Sequence, residues 1–323
     1  MRIIQVQKTG GPDVLALTDL PIPTPGPGEA LIQLKAIGVN YIDTYHRTGL
    51  YPVPVPFTPG TEGAGVVVQV GAGVQDMAVG QRVAYYTMQP GSYAEYAIVP
   101  ADKLILIPDG VTNEQAAAVL LQGMTAQYLA FTTYPIRPGD TVLIHAGAGG
   151  VGLLLTQIAR MRGARVITTV STEGKAELSR QNGADEVILY SQTDFADAVK
   201  RLTGGQGVHA VYDSVGKTTF DGSLNSLRPL GTMVSFGNAS GPVEPFAPAL
   251  LSQKGSLMFT RPSLGHYTLT RAALLERAGI VFNLVASGQL NVHIQPPYQL
   301  ADAAQAHRDL ESRKTTGKLL LIP

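Results

Sequence analysis

The chain has 323 residues, of which 45% are hydrophobic and 15% charged, a composition typical of a globular protein with large cores. The formal net charge is zero, so the composition gives no electrostatic attraction for nucleic acid or an anionic membrane surface. Cysteine is absent, which excludes disulfides, thiolate catalysis and cysteine-ligated metals.

Two further features follow from the length and the N-terminal segment. The chain exceeds the size at which a single core stops growing, so two domains are expected. The first residues, MRIIQVQKTGG, lack the apolar core of a signal peptide, and no apolar run approaches the ~18 residues of a membrane span. We therefore expect a cytoplasmic protein.

The first 110 or so residues are rich in short strand patterns. Strands are predicted at residues 2–7, 30–37, 65–70, 82–86 and 93–99, each bounded by glycine, proline or aspartate. Because no helical pattern separates them, they indicate a barrel-like domain. Two glycine groups, GTEGAG at 60–65 and VGAGV at 70–74, precede no helical pattern and are interpreted as turns.

A long apolar helix is predicted to follow this β-rich region. Thr112 and Gln115 form a capping-box pattern before AAAVLLQGMTAQYLAF. We expect this helix to link the first domain to the second.

Residues 140–172 show a strand, a glycine turn, a helix and a second strand. The glycines of G-x-G-x-x-G leave the predicted strand and open the predicted helix, as the dinucleotide fingerprint requires. Glycine allows the tight turn and lets a pyrophosphate approach the main chain. The N–H groups and dipole of the helix's first turn then bind the anion. This stretch predicts a dinucleotide site.

The residues after the second strand indicate which dinucleotide binds. An NAD site would place a carboxylate there for the ribose hydroxyl, whereas this chain has Ser171 and Lys175, which suit a 2′-phosphate. We therefore favour NADP, although Glu173 between them fits that assignment poorly. The alternative is that Ser171 and Lys175 only form a turn and a solvated helix start.

Strands and helices go on alternating to about residue 237. Strands are predicted at 186–190, 208–213 and 232–236 and helices at 194–202 and 219–227, a pattern that specifies a doubly wound parallel sheet. The ligand should lie beyond the carboxyl ends of the strands. The residues at these ends are Tyr190, Ser214, Val215, Ser235, Phe236, Gly237 and Asn238.

The last segment carries a proline-rich turn at 243–248, a strand at 256–260, a helix at 270–287 and a closing strand at 318–322. The closing strand most simply returns to the β-rich domain, which would make that domain discontinuous. The six histidines show no metal-ligand spacing; His145 and His209 are predicted in strands and the others in loops or on the surface.

Several stretches together resemble one family over nearly the whole chain: GVNYIDTYHRTGLY, PGTEGAG, HAGAGGVG, VYDSVG, VSFGNASG, RPSL and ESRKTTGK. The chain is similar to the medium-chain dehydrogenase/reductases, and most to their zinc-free quinone oxidoreductase (zeta-crystallin-like) branch. The resemblance implies an α/β fold with a Rossmann-type NADP-binding domain at 123–261. It also implies a discontinuous β-rich GroES-like barrel domain at 1–122 and 262–323, with the nicotinamide in the cleft between the domains.

The zinc-dependent members of that superfamily have metal ligands where this chain has Asn40, Thr61 and Gln122. Nothing is left here to polarise an alcohol as zinc does, so alcohol oxidation is disfavoured. The resemblance implies reduction of an electron-poor quinone by hydride from NADPH, a reaction that depends mainly on positioning and on hydrogen bonds to the acceptor oxygen.

The resemblance also suggests individual site residues. Asn40, Asp43 and Tyr45 would line the nicotinamide and substrate end, and Tyr45 and Tyr51 are candidates for a bond to the substrate oxygen or for proton delivery; the alternative for both tyrosines is apolar packing. Arg313 and Lys318 would add charge near the cofactor or would simply be solvated. The predicted cofactor-binding residues are Asn40, Thr125, Gly147, Gly149, Gly150, Val151, Gly152, Ser171, Lys175, Tyr190, Ser214, Phe236, Gly237, Ser240 and Arg313.

Alternatives stay open at this point. The same scaffold would suit reduction of 2-alkenals, enones or enoyl thioesters, or a protein that binds NADPH and serves as a structural or RNA-binding protein. Members of the branch are commonly dimers joined through the edge of the nucleotide-binding sheet. The apolar segment GSLMFT, residues 255–260, suits such an edge but would also suit the interior of a monomer.

Overall fold

The computed structural model describes all residues, 1–323, and the chain forms two compact units. The central unit is Thr125–Tyr267, and the split unit combines Met1–Met124 with Thr268–Pro323. The transitions predicted from the sequence follow residues 122 and 261.

The strands and helices follow in chain order. The strands are β1 (Arg2–Val6), β2 (Leu15–Asp19), β3 (Glu29–Val39), β4 (Glu62–Val70), β5 (Arg82–Tyr86), β6 (Tyr96–Pro100), β7 (Leu104–Leu106), β8 (Thr141–Ile144), β9 (Arg165–Val170), β10 (Glu186–Leu189), β11 (Val208–Asp213), β12 (Leu227–Ser235), β13 (Met258–Thr260), β14 (Tyr298–Gln299) and β15 (Leu319–Ile322). The helices are α1 (Tyr41–Thr48), α2 (Asn113–Tyr128), α3 (Gly150–Met161), α4 (Glu173–Gln181), α5 (Phe195–Leu202), α6 (Phe220–Ser226), α7 (Ala249–Gln253), α8 (Leu264–Tyr267), α9 (Arg271–Ala286) and α10 (Ala303–Glu311).

The split unit is built on a seven-stranded sheet in the order β14-β15-β3-β4-β5-β7, with β6 also paired to β3. Strands β1 and β2 form a separate antiparallel pair. The closing strand β15 lies antiparallel to β3, with Leu320 opposite Gly38. The prediction that the end of the chain returns to the β-rich region is therefore confirmed.

The central unit holds a six-stranded parallel sheet in the order β10-β9-β8-β11-β12-β13. In order along the chain this is 3-2-1-4-5-6, the order of the dinucleotide-binding doubly wound fold. The sheet core includes Leu143, Ile167 and Val211, none of which is exposed to solvent. The predicted α/β fold class, with a Rossmann-type parallel sheet beside separate antiparallel sheets, is confirmed.

Two local interpretations of the β-rich region were wrong. Helix α1 was not expected among the strands, and the group at 60–65 is not only a turn, because β4 begins at Glu62. A β-carbon on Gly65 would collide with the carbonyl group of Gln33 on the paired strand β3. Here glycine allows two strands to approach closely.

The helix predicted at Thr112 begins as expected. Thr112 N–H donates to Gln115 Oε1 at 2.9 Å, and Gln115 N–H donates to Thr112 Oγ1 at 3.1 Å, which completes the capping box. None of the helices is both long and apolar enough to cross a membrane.

Candidate functional site

The glycine turn lies between β8 and α3, at the carboxyl end of the parallel sheet. A β-carbon on Gly147 would lie 2.5 Å from Cβ of Thr168, and one on Gly152 would collide with the carbonyl oxygen of Ala146. At these two positions the turn is therefore packed so closely that only glycine fits. Gly149, in extended conformation, directly precedes α3.

The start of α3 fits a bound pyrophosphate. Gly149, Gly150 and Val151 are only partly buried, and the first N–H groups of a helix have no partner within the helix. With the helix dipole behind them, these donors suit an anion. The predicted residues of this turn thus lie together at one helix start.

The predicted 2′-phosphate residues lie after β9 and β10, which are neighbours in the sheet. Tyr190 N–H donates to Val170 O at 3.1 Å, and Ser191 Oγ donates to Ser171 O at 3.0 Å, which joins the two strand ends. Thr172 caps α4 by accepting from Lys175 N at 3.4 Å. Ser171, Lys175 and Tyr190 are therefore carried by adjoining segments.

The carboxylate that fitted the NADP assignment poorly has a cationic neighbour. Glu173 Oε1 accepts from Arg180 Nη1 at 2.9 Å, a bond between two side chains of α4. Both side chains are exposed, so the pair contributes little to stability. It does place a guanidinium beside Glu173, which offsets the negative charge close to Ser171 and Lys175.

The turn after β11 is bonded to the segment after β12. Phe236 N–H donates to Asp213 O at 2.8 Å, and Ser240 donates to Val215 O from both N–H and Oγ at 2.8 Å. A β-carbon on Gly237 would collide with Ser214. The predicted residues Ser214, Phe236, Gly237 and Ser240 thus belong to one hydrogen-bonded pair of turns.

The split unit brings together two of the three positions compared with zinc ligands, Asn40 and Gln122. The third, Thr61, is buried, and its hydroxyl has no hydrogen-bond partner. Asn40 Nδ2 donates to Glu62 Oε1 at 2.6 Å, and Gln122 Nε2 donates to Asn40 Oδ1 at 3.2 Å. Lys318 Nζ donates to Asn40 Oδ1 at 2.8 Å and also to Glu62 Oε1. Glu62 Oε2 accepts from Leu121 N–H at 2.8 Å. The amide of Asn40 is therefore held in one orientation.

The donor set of this cluster does not fit zinc. It offers one carboxylate and two amides, and the ammonium group of Lys318 lies among them, whereas zinc sites use thiolate, imidazole and carboxylate ligands. No group of three or more histidine and acidic side chains is arranged to hold a metal ion. Lys318 is only 1% exposed, which excludes the alternative that this lysine is solvated on the surface.

Asn40 is also bonded to a second network, which begins at Asp43, is buried as far as Arg47 and ends at the exposed Glu311. Asp43 Oδ2 accepts from Asn40 N–H at 2.8 Å and from Tyr93 Oη at 3.0 Å. Tyr93 Oη lies 2.9 Å from His307 Nε2, and His307 Nδ1 lies 3.0 Å from Arg47 Nη1. Arg47 in turn pairs with Glu311 at 2.7 Å.

Burial dominates the ionisation of this second network. It raises the pKa of Asp43 to about 7, although hydrogen bonds from Asn40 and Tyr93 act in the opposite direction. It lowers the pKa of His307 to about 3, and the neighbouring Arg47 adds to that effect. Asp43 Oδ1 has no hydrogen-bond partner. Asp43 is fully buried, so it supports the segment that carries Asn40 instead of lining an open surface.

The candidate catalytic tyrosines lie side by side. The rings of Tyr45 and Tyr51 meet edge to face with centroids 5.2 Å apart, and Tyr51 N–H donates to Tyr45 O at 3.1 Å. Tyr45 is buried and Tyr51 half-buried. Two predicted cofactor residues lie elsewhere: Thr125 is buried in α2, and Arg313 is exposed just after α10.

Two buried histidines, one of them a member of the second network, were not predicted from the sequence. His46 and His307 were expected in loops or on the surface, yet both are buried in helices, α1 and α10; that expectation was wrong. One signal was available: Asn40 and Asp43 are three residues apart, the spacing at which a side chain bonds the backbone at a helix start. The partners from distant segments carried no such local signal.

Comparisons with known proteins agree with this architecture. Residues 150–274 match the zinc-binding dehydrogenase family, and residues 26–109 match the alcohol dehydrogenase GroES-like domain. The chain is 48% identical over 321 residues to a quinone oxidoreductase of Pseudomonas aeruginosa, with 99% of each chain covered. It is 43% identical over 325 residues to a 2-haloacrylate reductase of a Burkholderia species, with 98% of each chain covered.

A solved structure gives the same result. Escherichia coli quinone oxidoreductase complexed with NADPH is 45% identical and superposes with a TM-score of 0.98 over 100% of both chains. With full-length identities of this size and both family matches, the chain belongs to the zinc-free quinone oxidoreductase branch of the medium-chain dehydrogenase/reductase superfamily.

Proposed function

We propose that this protein reduces quinones with NADPH and does so without zinc. The observation that carries the proposal is the full-length similarity to quinone oxidoreductases, including one solved with NADPH. The glycine turn and the neighbouring Ser171 and Lys175 support the same cofactor. The absence of cysteine and the Lys318 ammonium within the Asn40 cluster support a zinc-independent reaction.

NADPH, when bound, supplies the hydride, and the chain supplies its binding and orientation. Residues 147–152 would hold the pyrophosphate, Ser171 and Lys175 the 2′-phosphate, and Tyr190 the adenosine side. Ser214, Phe236, Gly237 and Ser240 would flank the nicotinamide half. Thr125 and Arg313 complete the proposed cofactor set.

The substrate end is assigned to the split unit. Reduction of a quinone to a hydroquinone adds one hydride and one proton, and negative charge develops on the acceptor oxygen. Asn40, whose amide is fixed by Glu62 and Lys318, orients the reacting groups. Tyr45 and Tyr51 carry hydroxyls suited to donate a hydrogen bond, or the proton, to that oxygen.

A second candidate is reduction of an alkene conjugated to a carbonyl group. It is favoured by the similarity to a 2-haloacrylate reductase at 43% identity. In that reaction the hydride enters the β-carbon of the alkene and a proton enters the α-carbon. The same cofactor site would serve both reactions.

A substrate panel tests the proposal. The purified protein is mixed with NADPH and, separately, a quinone, an enone, an enoyl thioester and a 2-haloacrylate, and loss of NADPH absorbance is followed. Rapid turnover of the quinone is expected, and parallel assays with NADH and with an added chelator test the cofactor and the metal. Turnover confined to the alkenes would favour the second candidate, and no turnover of any of them would contradict both.

We also propose a homodimer joined through β13. This strand is an edge of the six-stranded sheet, and Met258 on it is 54% exposed, so it offers unpaired backbone groups and apolar surface. Light scattering should give a mass of two chains, about 68 kDa from a chain mass of 34.1 kDa, and a Met258→Lys variant should shift it toward one. The cytoplasmic location stays a prediction.

A further inference from the structure

Four buried side chains form a continuous hydrogen-bonded row across the carboxyl end of the central sheet. His145 Nδ1 lies 2.8 Å from Thr169 Oγ1, and His145 Nε2 lies 3.0 Å from Ser223 Oγ. Ser223 Oγ donates to Asp213 Oδ2 at 2.8 Å. None of the four is more than 2% exposed, so water does not compete for these bonds.

The Asp213 carboxylate at one end of the row can only accept, and this decides which atom donates in every other bond. The single hydroxyl proton of Ser223 goes to the Asp213 carboxylate, so Ser223 Oγ accepts from His145 Nε2–H. In the neutral ring Nδ1 is then an acceptor, and Thr169 Oγ1–H donates to it. Burial lowers the pKa of His145 below its ordinary value, with the nearby Asp213 opposing that effect, which agrees with a neutral ring.

One end of the row fixes the turn that carries Ser214. Asp213 Oδ1 accepts from Val215 N–H at 2.7 Å and from Gly216 N–H at 3.0 Å. The carboxylate therefore bonds on one side to this turn and on the other to Ser223. Any change at Ser223 removes one of the bonds that hold the carboxylate in place.

The other end fixes the glycine turn. His145 directly precedes Ala146, which is held in the left-handed region with φ of 52°. His145 N–H donates to Tyr212 O at 3.0 Å, and Gly147 N–H donates to Thr169 O at 3.0 Å. The residues that begin the glycine turn are thus tied to β9 and β11 by both backbone and side chain.

We propose that His145, Ser223 and Asp213 are positioning residues that hold the glycine turn and the Ser214 turn in register for NADPH. The inference rests on the proposed function, because it assigns both turns to that cofactor. The three side chains are buried and act through the backbone that they hold. Their loss should weaken cofactor binding and leave the hydride transfer step of the bound complex intact.

A matched pair of serine variants tests the proposal. Ser223 and Ser226 are both on α6 and both fully buried, but Ser226 Oγ bonds only to Gly222 O within its own helix, at 2.8 Å. Ser223→Ala should raise the NADPH Kd, followed by cofactor fluorescence, by about tenfold, because a buried donor and acceptor lose their partner. Ser226→Ala should leave the Kd unchanged. The kcat at saturating NADPH should match the unmodified protein in both.

A second measurement is made on the unmodified chain, and a variant serves only to assign the signals. The ring nitrogen shifts of ¹⁵N-labelled His145, assigned by comparison with His145→Gln, should show a proton on Nε2 and none on Nδ1. A proton on Nδ1, or equal NADPH affinity for the Ser223 and Ser226 variants, would overturn this inference alone. Failure of the unmodified protein to bind NADPH would overturn the proposed function and this inference with it.

Discussion

The ammonium nitrogen of Lys318 lies 2.8 Å from Asn40 Oδ1 and donates a second bond to Glu62 Oε1. Lys318 and Glu62 are 1% and 0% exposed, so the two charges compensate each other away from water. Removal of one charge leaves the other buried without its counter-ion, which is far more costly than loss of a surface pair.

Glu62→Gln is therefore expected to lower the free energy of unfolding by about 3–5 kcal/mol. Urea denaturation measures this change. The control is Glu95→Gln, which breaks the exposed pair with Arg2 and should cost less than about 1 kcal/mol. Equal losses in the two variants would show that the buried pair does not carry the stability assigned to it.

Asp43 should make the stability of the protein fall as pH rises. Its pKa of about 7 in the fold exceeds the ordinary 3.8, so the folded state favours the protonated carboxyl. The stabilisation is complete below about pH 4 and is lost progressively up to about pH 7, by about 4 kcal/mol in total. Because the side chain introduced by Asp43→Asn cannot ionise, the free energy of unfolding of that variant does not show this decrease. Both proteins are denatured at several pH values from 4 to 8. The free energy of unfolding of the unmodified protein minus that of Asp43→Asn should fall as pH rises; a constant or rising value would contradict the assignment.

Gly152→Ala should abolish tight NADPH binding. The added carbon would collide with Ala146 O and displace the glycine turn, so we expect at least a tenfold rise in the NADPH Kd, about 1.4 kcal/mol or more. Gly174→Ala is the control: nothing lies within 4 Å of its added carbon, and alanine is the better helix former. Fluorescence titration gives both affinities, and circular dichroism checks that each variant is folded. If Gly152→Ala binds NADPH with unchanged affinity, the glycine turn is not part of the NADPH site.

Lys175→Glu should reverse the preference between the two nicotinamide cofactors. A carboxylate near the 2′-phosphate repels it, so kcat/KM for NADPH should fall by about tenfold or more while that for NADH changes little. Lys200→Glu makes the same charge change at an exposed position of α5 and should affect both cofactors equally. If Lys175→Glu keeps the preference of the unmodified protein, Lys175 does not recognise the phosphate.

The two candidate tyrosines are distinguished by single removal of their hydroxyls. Tyr51 is the more exposed of the pair, so we expect Tyr51→Phe to lower kcat with a quinone by about 100-fold, as loss of a proton donor does, and Tyr45→Phe to lower it less. Tyr41→Phe is the control, because its hydroxyl bonds Leu310 O at 3.1 Å. If Tyr45→Phe and Tyr51→Phe both have the kcat of Tyr41→Phe, neither tyrosine is the proton donor.

The central unit was largely predictable because its signals are local. Apolar periodicity, glycine turns and helix caps such as Asp194, which accepts from Asp197 N–H at 3.0 Å, repeat within a few residues of one another. They gave every strand from β8 to β13 its approximate place. The edge position of β13 was left open by its pattern, since pairing on one side or two is decided by strands far away in the chain.

The split unit was less predictable because its decisive contacts are long-range. Arg47 meets His307 and Glu311 across more than 250 residues of chain, with sequence separations of 260 and 264. No window of sequence around His307 indicates that a guanidinium will cover it. For the same reason, the glycines of β4 resembled a turn, since the crowding by β3 that requires them is invisible locally.

Because β15 pairs with β3, the sheet of the split unit cannot be completed until residues 319–322 have been synthesised. The central unit is complete in sequence once Tyr267 has emerged. Strand β3, made from residues 29–39, must wait for residues 319–322 before that flank of its sheet is covered. Until then, residues 37–39 of β3 have open backbone groups on that side, because β6 covers only residues 29–33. Strand β15 therefore covers the end of β3 at residues 37–39 and keeps it from pairing with another chain.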